Sequence, residues 1–577
     1  MLVVCAMGAI ALFVLVIGWP LTSQEQWLVQ MGTRIVLGLF VVQEIVRLII
    51  HPNLREHLRK RRLETALAVV VLFESVFSHK FDNWLMHWIP DAKPGTLALF
   101  VLGFSQLTLI GLLGLRGLRR IPQIAARNLT PGGALLLSFA ALIVAGTLLL
   151  KMPRATPAGI SWADALFTAT SSVCVTGMAV LDTAGDFTWH GQFVILGLVQ
   201  VGGLGIMTLT YFFAHFLTGG VSFRNRIALQ DLLSEESLDQ IGTVLGIIVG
   251  FTFSFELAGV AAIYFSAEGM TAMPQDERLF FAVFHSVTSF CNAGFSTMPG
   301  GLADGALRGN TWFLVTVMLL VTAGGIGFPV VKNFWQVAVA VVRRRLGLRV
   351  AAPPRLTTNS RVVLVTSLCL TFGGAALVFL TEFAFNNGDS AGVPSWLAAL
   401  FHSVTARSAG FNISDTRLWA PATVVIVMFL MFIGGSPAST AGGIKTSTLA
   451  VAVLALRRVL LGRPEIEAFG RRVSDDTANR ALAVVLLAVA FFAVVLVTLS
   501  VMHPELSTAE LAFEVIGATS TAGLSRGVAP LLGAGGKCVL VLAMFVGRIG
   551  VLMVLMSFMP RQPHKGYRFP EGGIVIT

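Results

Sequence analysis

The sequence predicts an all-α polytopic membrane protein. Four pseudo-fourfold repeats, each a helix, a re-entrant loop and a second helix, surround a central axis, with about four extra transmembrane helices ahead of them. Three observations predict it. The 577-residue chain is 55% hydrophobic and only 12% charged, against about a quarter charged in soluble domains, and its mean hydropathy is +0.80. Apolar runs of membrane-spanning length recur along it. A short helix-breaking stretch then returns four times at nearly equal spacing.

Runs such as Leu135 to Leu150, Val244 to Phe265 and Ala481 to Val501 approach the ~20 residues that cross a hydrocarbon core. The first ~129 residues hold four more, Val3–Trp19, Thr33–Ile50, Leu63–Val76 and Leu97–Leu115. No basic n-region precedes Val3–Trp19, which reads as a retained helix rather than a signal peptide. Cys5, Cys174, Cys291, Cys369 and Cys538 lie in apolar segments without C-x-x-C spacing, so neither a disulfide framework nor a zinc site is expected.

The net charge of +11 sits in short loops, His51–Arg62, Arg116–Arg127, Phe223–Arg226, Arg343–Arg355 and Arg457–Arg472. That distribution points to membrane orientation and away from nucleic acid. Loops Thr22–Gln26, Ser78–Trp84 and Phe385–Gly392 are poor in Lys and Arg. With the basic loops cytoplasmic, the sides alternate from a cytoplasmic N-terminus. Arg116, Arg119 and Arg120 cluster at a helix boundary, where they serve as a positive-inside anchor better than as a voltage sensor.

The recurring breakers are "VCVTGM", "FCNAGF", "TARSAGF" and "TSTAGL". Their glycines Gly177, Gly294, Gly410 and Gly523 are spaced by 117, 116 and 113 residues, which marks four copies of one unit. The repeats divide the chain at residues 130–225, 226–345, 346–465 and 466–577, after an extension over 1–129. A Phe nine or ten residues before each glycine opens a half-helix too short to cross a bilayer.

Non-helical backbone at membrane depth is tolerated where it lines a polar passage or is buried in protein. Around one axis, its carbonyl oxygens can replace the water shell of a dehydrated cation, and the half-helices aim negative dipole ends at that ion. The candidate filter residues are Val173, Cys174, Val175, Thr176 and Gly177; Cys291, Asn292, Ala293 and Gly294; Arg407, Ser408, Ala409 and Gly410; and Ser520, Thr521, Ala522 and Gly523. Arg407 is expected to hydrogen-bond its own loop. The blander reading, glycines that only permit close helix packing, suits one such loop better than four at equal spacing.

A second glycine cluster lies in the following helix of each copy, at Gly203, Gly325, Gly435 and Gly547, offset by 26, 31, 25 and 24 residues from the loop glycine. The third differs. Gly434 to Thr446 carries Gly434, Gly435, Ser436, Pro437, Ser439, Thr440, Gly442, Gly443 and Lys445, too many breakers and hydroxyls for a continuous helix. It reads as a flexible intramembrane stretch placed to obstruct or open the path. In the fourth copy Arg548 lies deep in the run Val539 to Met559, where an arginine needs a partner; the expected one is a carbonyl of the broken segment.

These four loops, with "GGSPASTAGGIKT", "GRIG" and the terminal "YRFPEGGIVIT", resemble the Trk/Ktr/HKT superfamily of potassium transporters, most closely its Ktr-type membrane subunits, over about Thr130 to Thr577. The resemblance implies potassium passage through a single-chain filter at the backbone carbonyls, with the four loop glycines as filter glycines. It implies that Gly434 to Thr446 is a gating loop contacted by Arg548. It further implies a homodimer in the bacterial cytoplasmic membrane, bound to a cytosolic RCK/KTN-type subunit that itself carries the nucleotide (ATP, ADP or NAD), and stimulation by sodium.

Other residues point less sharply. His285 and His402, both in "FHSVT", suggest a shared structural hydrogen bond more than a metal pair. Glu256 and Glu382 suit a role satisfying buried backbone better than a cation site. Asp182 and Asp415 either draw cations to the outer mouth or cap turns. "GGSP" suggests an intramembrane serine protease, yet no matched His motif accompanies it, and no H-E-x-x-H or P-loop motif is present. The nearer rival is a proton- or sodium-coupled symporter, for which Glu256, Glu382 and Glu514 compete as the protonatable acid.

Overall fold

Thr22 starts the first described helix. Its backbone N–H and hydroxyl both donate to Glu25 Oε2 at 2.8 Å, closing a capping box, and helix α1 runs Ser23–Ile50. The expected start at Thr33 and a Thr22–Gln26 loop are therefore corrected, because T-x-x-E opens the helix ahead of the apolar run.

The computed structural model describes residues 22–50, 131–218, 241–266, 273–347, 355–384 and 394–558, with scattered positions between 8 and 20 and between 65 and 72. The helices expected near Leu63–Val76 and Leu97–Leu115 lie outside the described residues, apart from those scattered positions. So do the loops at 51–62, 78–84, 116–127, 223–226 and 385–392, and the terminal motif.

From Pro131 onward, short helices alternate with long ones. Helices α2 (Pro131–Leu150), α3 (Trp162–Val173) and α4 (Trp189–Thr218) come first. Next are α5 (Ile241–Ser266), α6 (Gln275–Cys291), α7 (Thr311–Ile326) and α8 (Phe328–Arg345). Helix α9 (Thr358–Val378) winds on as a π-helical turn, Phe379–Ala384, before α10 (Ser395–Ala406), α11 (Pro421–Phe432) and α12 (Thr446–Leu460). The chain closes with α13 (Asp475–Met502), α14 (Thr508–Thr519), α15 (Ala534–Ile549) and α16 (Val551–Phe558). Among the described residues three helices are long and apolar enough to cross a membrane, or five if each sharply bent pair is one span.

The short helices begin earlier than their phenylalanines suggest. Ser161 caps α3 by accepting from the Asp164 N–H at 3.1 Å, and α14 starts at Thr508. Phe167, Phe284, Phe401 and Phe513 thus sit inside these helices, each fully buried, rather than opening them. Where lipid offers no hydrophobic drive between helices, small residues and hydroxyls hold them together. Ser286 Oγ donates to the Glu256 carbonyl at 2.7 Å and Ser403 Oγ to the Thr371 carbonyl at 2.8 Å. Gly259 and Gly374 make room, since a methyl group on either would crowd the serine hydroxyl.

Two further breaks correct the expectation that only one second helix is interrupted. The chain bends by 102° between α7 and α8 and by 90° between α15 and α16. Gly327 (φ +88°) and Gly550 (φ +94°) stand at the bends, in conformations that glycine adopts without penalty. A small hairpin also occupies the basic loop at Arg457–Arg472. Strands β1 (Ile466–Ala468) and β2 (Arg471–Val473) pair antiparallel with Ile466 opposite Val473. Phe469 and Gly470 form its tip with φ +52° and +74°, the signs a two-residue hairpin turn requires.

Candidate functional site

Each short helix ends in a loop with the same backbone signature. Val175 and Gly177 have φ of +53° and +84°, Asn292 and Gly294 +61° and +66°, Ser408 and Gly410 +70° and +77°, Thr521 and Gly523 +47° and +79°. A β-branched residue such as Val175 or Thr521 rarely takes positive φ, at a cost of roughly 1–3 kcal/mol. The loop N–H groups turn back on their own helices. Thr176 N donates to Ser171 O at 2.8 Å, Ala293 N to Thr288 O at 2.7 Å, Ala409 N to Thr405 O at 3.0 Å and Ala522 N to Gly517 O at 2.9 Å.

Beyond these amides, each loop packs against its neighbour through the glycine. A methyl group on Gly177 would overlap the Ala293 carbonyl oxygen; on Gly294 it would meet Ala409 O at 2.8 Å; on Gly410, Ala522 O at 3.1 Å; on Gly523 it would overlap Thr176 O. Each loop's glycine lies beside the next loop's carbonyl, and the fourth loop closes on the first. The four short helices end two or three residues before these carbonyls, so the negative ends of their dipoles lie close by.

On one side of the ring lies a cavity of about 440 Å³, lined by the four glycines with Asp182, Ser296, Asn412 and Ser525. Asp182 lines the cavity, and its Oδ1 accepts from Ala184 N at 3.2 Å. Asp415 is a cap, accepting from Arg417 N at 3.0 Å, and the Arg417 side chain hydrogen-bonded to it holds its carboxyl below the usual range.

In the second, third and fourth loops the buried residue after the phenylalanine reaches the limb of its own loop that follows the glycine. His285 Nδ1 donates to the Phe281 carbonyl at 3.0 Å, which leaves Nε2 to accept from Ser296 Oγ at 2.9 Å. His402 Nε2 stands 3.3 Å from Ser414 Oγ. Sequence reasoning missed the third member, Glu514, considering it only as a proton carrier. Its Oε1 accepts from Ser525 Oγ at 2.6 Å, Arg526 N at 2.9 Å and Val528 N at 3.1 Å. The signal was its place directly after Phe513.

On the ring's other side runs the non-helical segment from Gly434 to Lys445. It is buried and pinned, not slack as expected. Ser436 N donates to Gly325 O at 2.9 Å, Thr440 N to Gly324 O at 3.3 Å, Thr440 Oγ1 to Phe290 O at 3.2 Å and Gly442 N to Ser408 Oγ at 2.9 Å. Lys445 Nζ folds back onto Ala441 O at 2.6 Å, and Arg548, buried, donates to the Thr440 carbonyl. Gly202, Gly324 and Gly547 pass so close to Val173, Phe290 and Thr519 that a methyl group would overlap those carbonyls. These glycines admit the second helices against the short-helix ends, and two of them lie one residue before the positions aligned by sequence.

Arg407 is a correction. Its guanidinium donates to Thr371 Oγ1 at 2.5 Å on α9, not to its own loop. Glu382 satisfies the Ala420 N–H at 3.0 Å. Glu256 instead meets a side chain, Gln200 Nε2, at 3.0 Å, with Cys291 Sγ at 4.0 Å. The hydroxyl of Ser436 faces that of Thr446 at 3.3 Å, not a histidine.

Apolar helices long enough to span, helix pairs bent sharply at Gly327 and Gly550 and four loops that close into a ring define a multi-pass membrane protein of the cation-transport class. The chain belongs to the TrkH family of cation transport proteins, whose profile matches residues 135–567. It is 33% identical over 461 residues to the potassium/sodium uptake protein NtpJ of Enterococcus hirae, covering 78% of this chain and 98% of that one. It is 34% identical over 452 residues to the Ktr system potassium uptake protein B of Bacillus subtilis, covering 77% and 96%. The crystal structure of the potassium transporter TrkH from Vibrio parahaemolyticus shares the fold at a TM-score of 0.58 and 17% identity, across 92% of this chain and 97% of that chain.

Proposed function

We propose that this protein takes up potassium through the carbonyl ring of Thr176, Ala293, Ala409 and Ala522. The observation that carries the reading is the cyclic meeting of each loop's glycine with the next loop's carbonyl. Four oxygens on one axis substitute for lost hydration water, and four helix ends add negative potential. On this reading the chain is four pore repeats with the boundaries given above, and the residues flanking each carbonyl complete the filter. The protein is a transporter rather than an enzyme, as the uptake activities named for both relatives support.

The segment from Gly434 to Thr446 serves as the gate, with Arg548 biasing it closed. The Ktr system name of one relative supports a partner subunit, here a cytosolic nucleotide-binding ring on a homodimer. The potassium/sodium name of the other supports sodium as stimulant. Basic loops face the cytoplasm of a bacterial inner membrane. Expression in a potassium-uptake-deficient bacterium restores growth on low potassium; no rescue with the protein present in the membrane overturns the assignment.

A further inference from the structure

Three buried side chains occupy one position in three of the loop units, and each reaches a serine beyond the glycine of its own loop. His285, His402 and Glu514 each directly follow the buried phenylalanine of a short helix. Each holds a serine of the outer limb, Ser296, Ser414 or Ser525, beyond the loop glycine. Ser296 and Ser525 also line the outer cavity. The first unit differs: Thr168 stands after Phe167 and Ala179 lines the cavity, and among the described residues the Thr168 side chain makes no hydrogen bond to its loop.

The loop amides tied to helix carbonyls fix the inner limb of each loop. Nothing in that pattern fixes the outer limb, which leaves the ring at the glycine. The side chain after the phenylalanine does. Glu514 is the strongest case, with three donors converging on one carboxylate oxygen inside a buried site. Removing such an acceptor leaves buried donors unsatisfied, which costs more than the net worth of the bonds.

We propose that Glu514, with His402 and His285, is a positioning residue for ion selection: these side chains hold the outer limbs so that the carbonyl ring keeps a fixed diameter. The first loop, strained at Val175 and without such a tether, is the compliant wall of the ring. This rests on the potassium-uptake reading above.

The test compares potassium and sodium uptake into proteoliposomes bearing the parent, Glu514→Ala, Glu514→Gln, Ser525→Ala and Thr168→Ala at matched protein density. Glutamine keeps an oxygen acceptor without the charge. Glu514→Ala lowers potassium-over-sodium discrimination about tenfold while total flux persists. Glu514→Gln retains most of the discrimination, Ser525→Ala loses part of it, and Thr168→Ala leaves it unchanged. Parental discrimination in a folded Glu514→Ala protein overturns the tether, and so does an equal loss in Glu514→Gln and Glu514→Ala, which makes charge the cause. If Glu514→Ala does not fold, parental discrimination in Ser525→Ala overturns it. A parent protein that carries no potassium sinks the uptake reading instead.

Discussion

At Gly294 a side chain would stand 2.8 Å from the Ala409 carbonyl oxygen and 3.0 Å from Gly410 Cα, on backbone with φ +66°. Gly294→Ser therefore strains its own loop and pushes the neighbouring one outward, so the ring no longer matches potassium. The expected outcome is weaker potassium affinity with relatively more sodium carried, read from competition between the two ions in flux assays. Unchanged discrimination removes Gly294 from the ring. The four glycines were legible in the sequence because positive φ next to a neighbour's backbone leaves no other residue type, and their spacing repeated. Arg407 was legible only as a residue tied to its own loop. Its partner Thr371 belongs to another helix, and no local pattern ties the two. Glu514 hid because the position holds histidine in two other loops, so residue identity gave no clue to the shared task.

The segment between α11 and α12 was legible as an element, since glycines, proline and hydroxyls at that density cannot hold a helix. Its order was not. Composition reads as slack, whereas the carbonyls of Gly324, Gly325 and Phe290 and the hydroxyl of Ser408 hold it from three directions. The bends at Gly327 and Gly550 escaped for the opposite reason, as a single glycine in an apolar run looks like packing. A pinned segment can still switch if a second arrangement lies within a few kcal/mol, and Arg548 on the Thr440 carbonyl favours the observed one. Deleting Ser436 to Ala441 is expected to raise potassium flux into proteoliposomes and weaken its dependence on a regulatory partner. Arg548→Ala shifts flux in the same direction. A deletion variant that folds, dimerises and conducts no faster than the parent shows that the segment is not the gate.

A ring made from one chain has to close, and the closure joins residues far apart in sequence. Here Lys537, in the first turn of α15, pairs with Asp164, in the first turn of α3, at 2.6 Å. Both side chains are mostly buried, 14% and 18% exposed, and Asp164 is further held by Ser161 Oγ at 2.6 Å. The pair joins the fourth loop's second helix to the first loop's short helix, so it ties the fourth unit to the first. Breaking a partly buried pair from one side leaves a charge without its partner, which costs more than the pair contributes when intact. Lys537→Asp or Asp164→Lys alone is therefore expected to destabilise the protein by about 1–3 kcal/mol, seen as a lower midpoint of thermal unfolding in detergent. The double reversal, Asp164→Lys with Lys537→Asp, restores the attraction with the signs exchanged and recovers most of the loss. It also forfeits the Ser161 contact to the carboxylate, so recovery stops short of the parent. If the losses of the two single variants simply add in the double variant, the two residues do not act as a pair and the closure rests on helix packing between α3 and α15 alone.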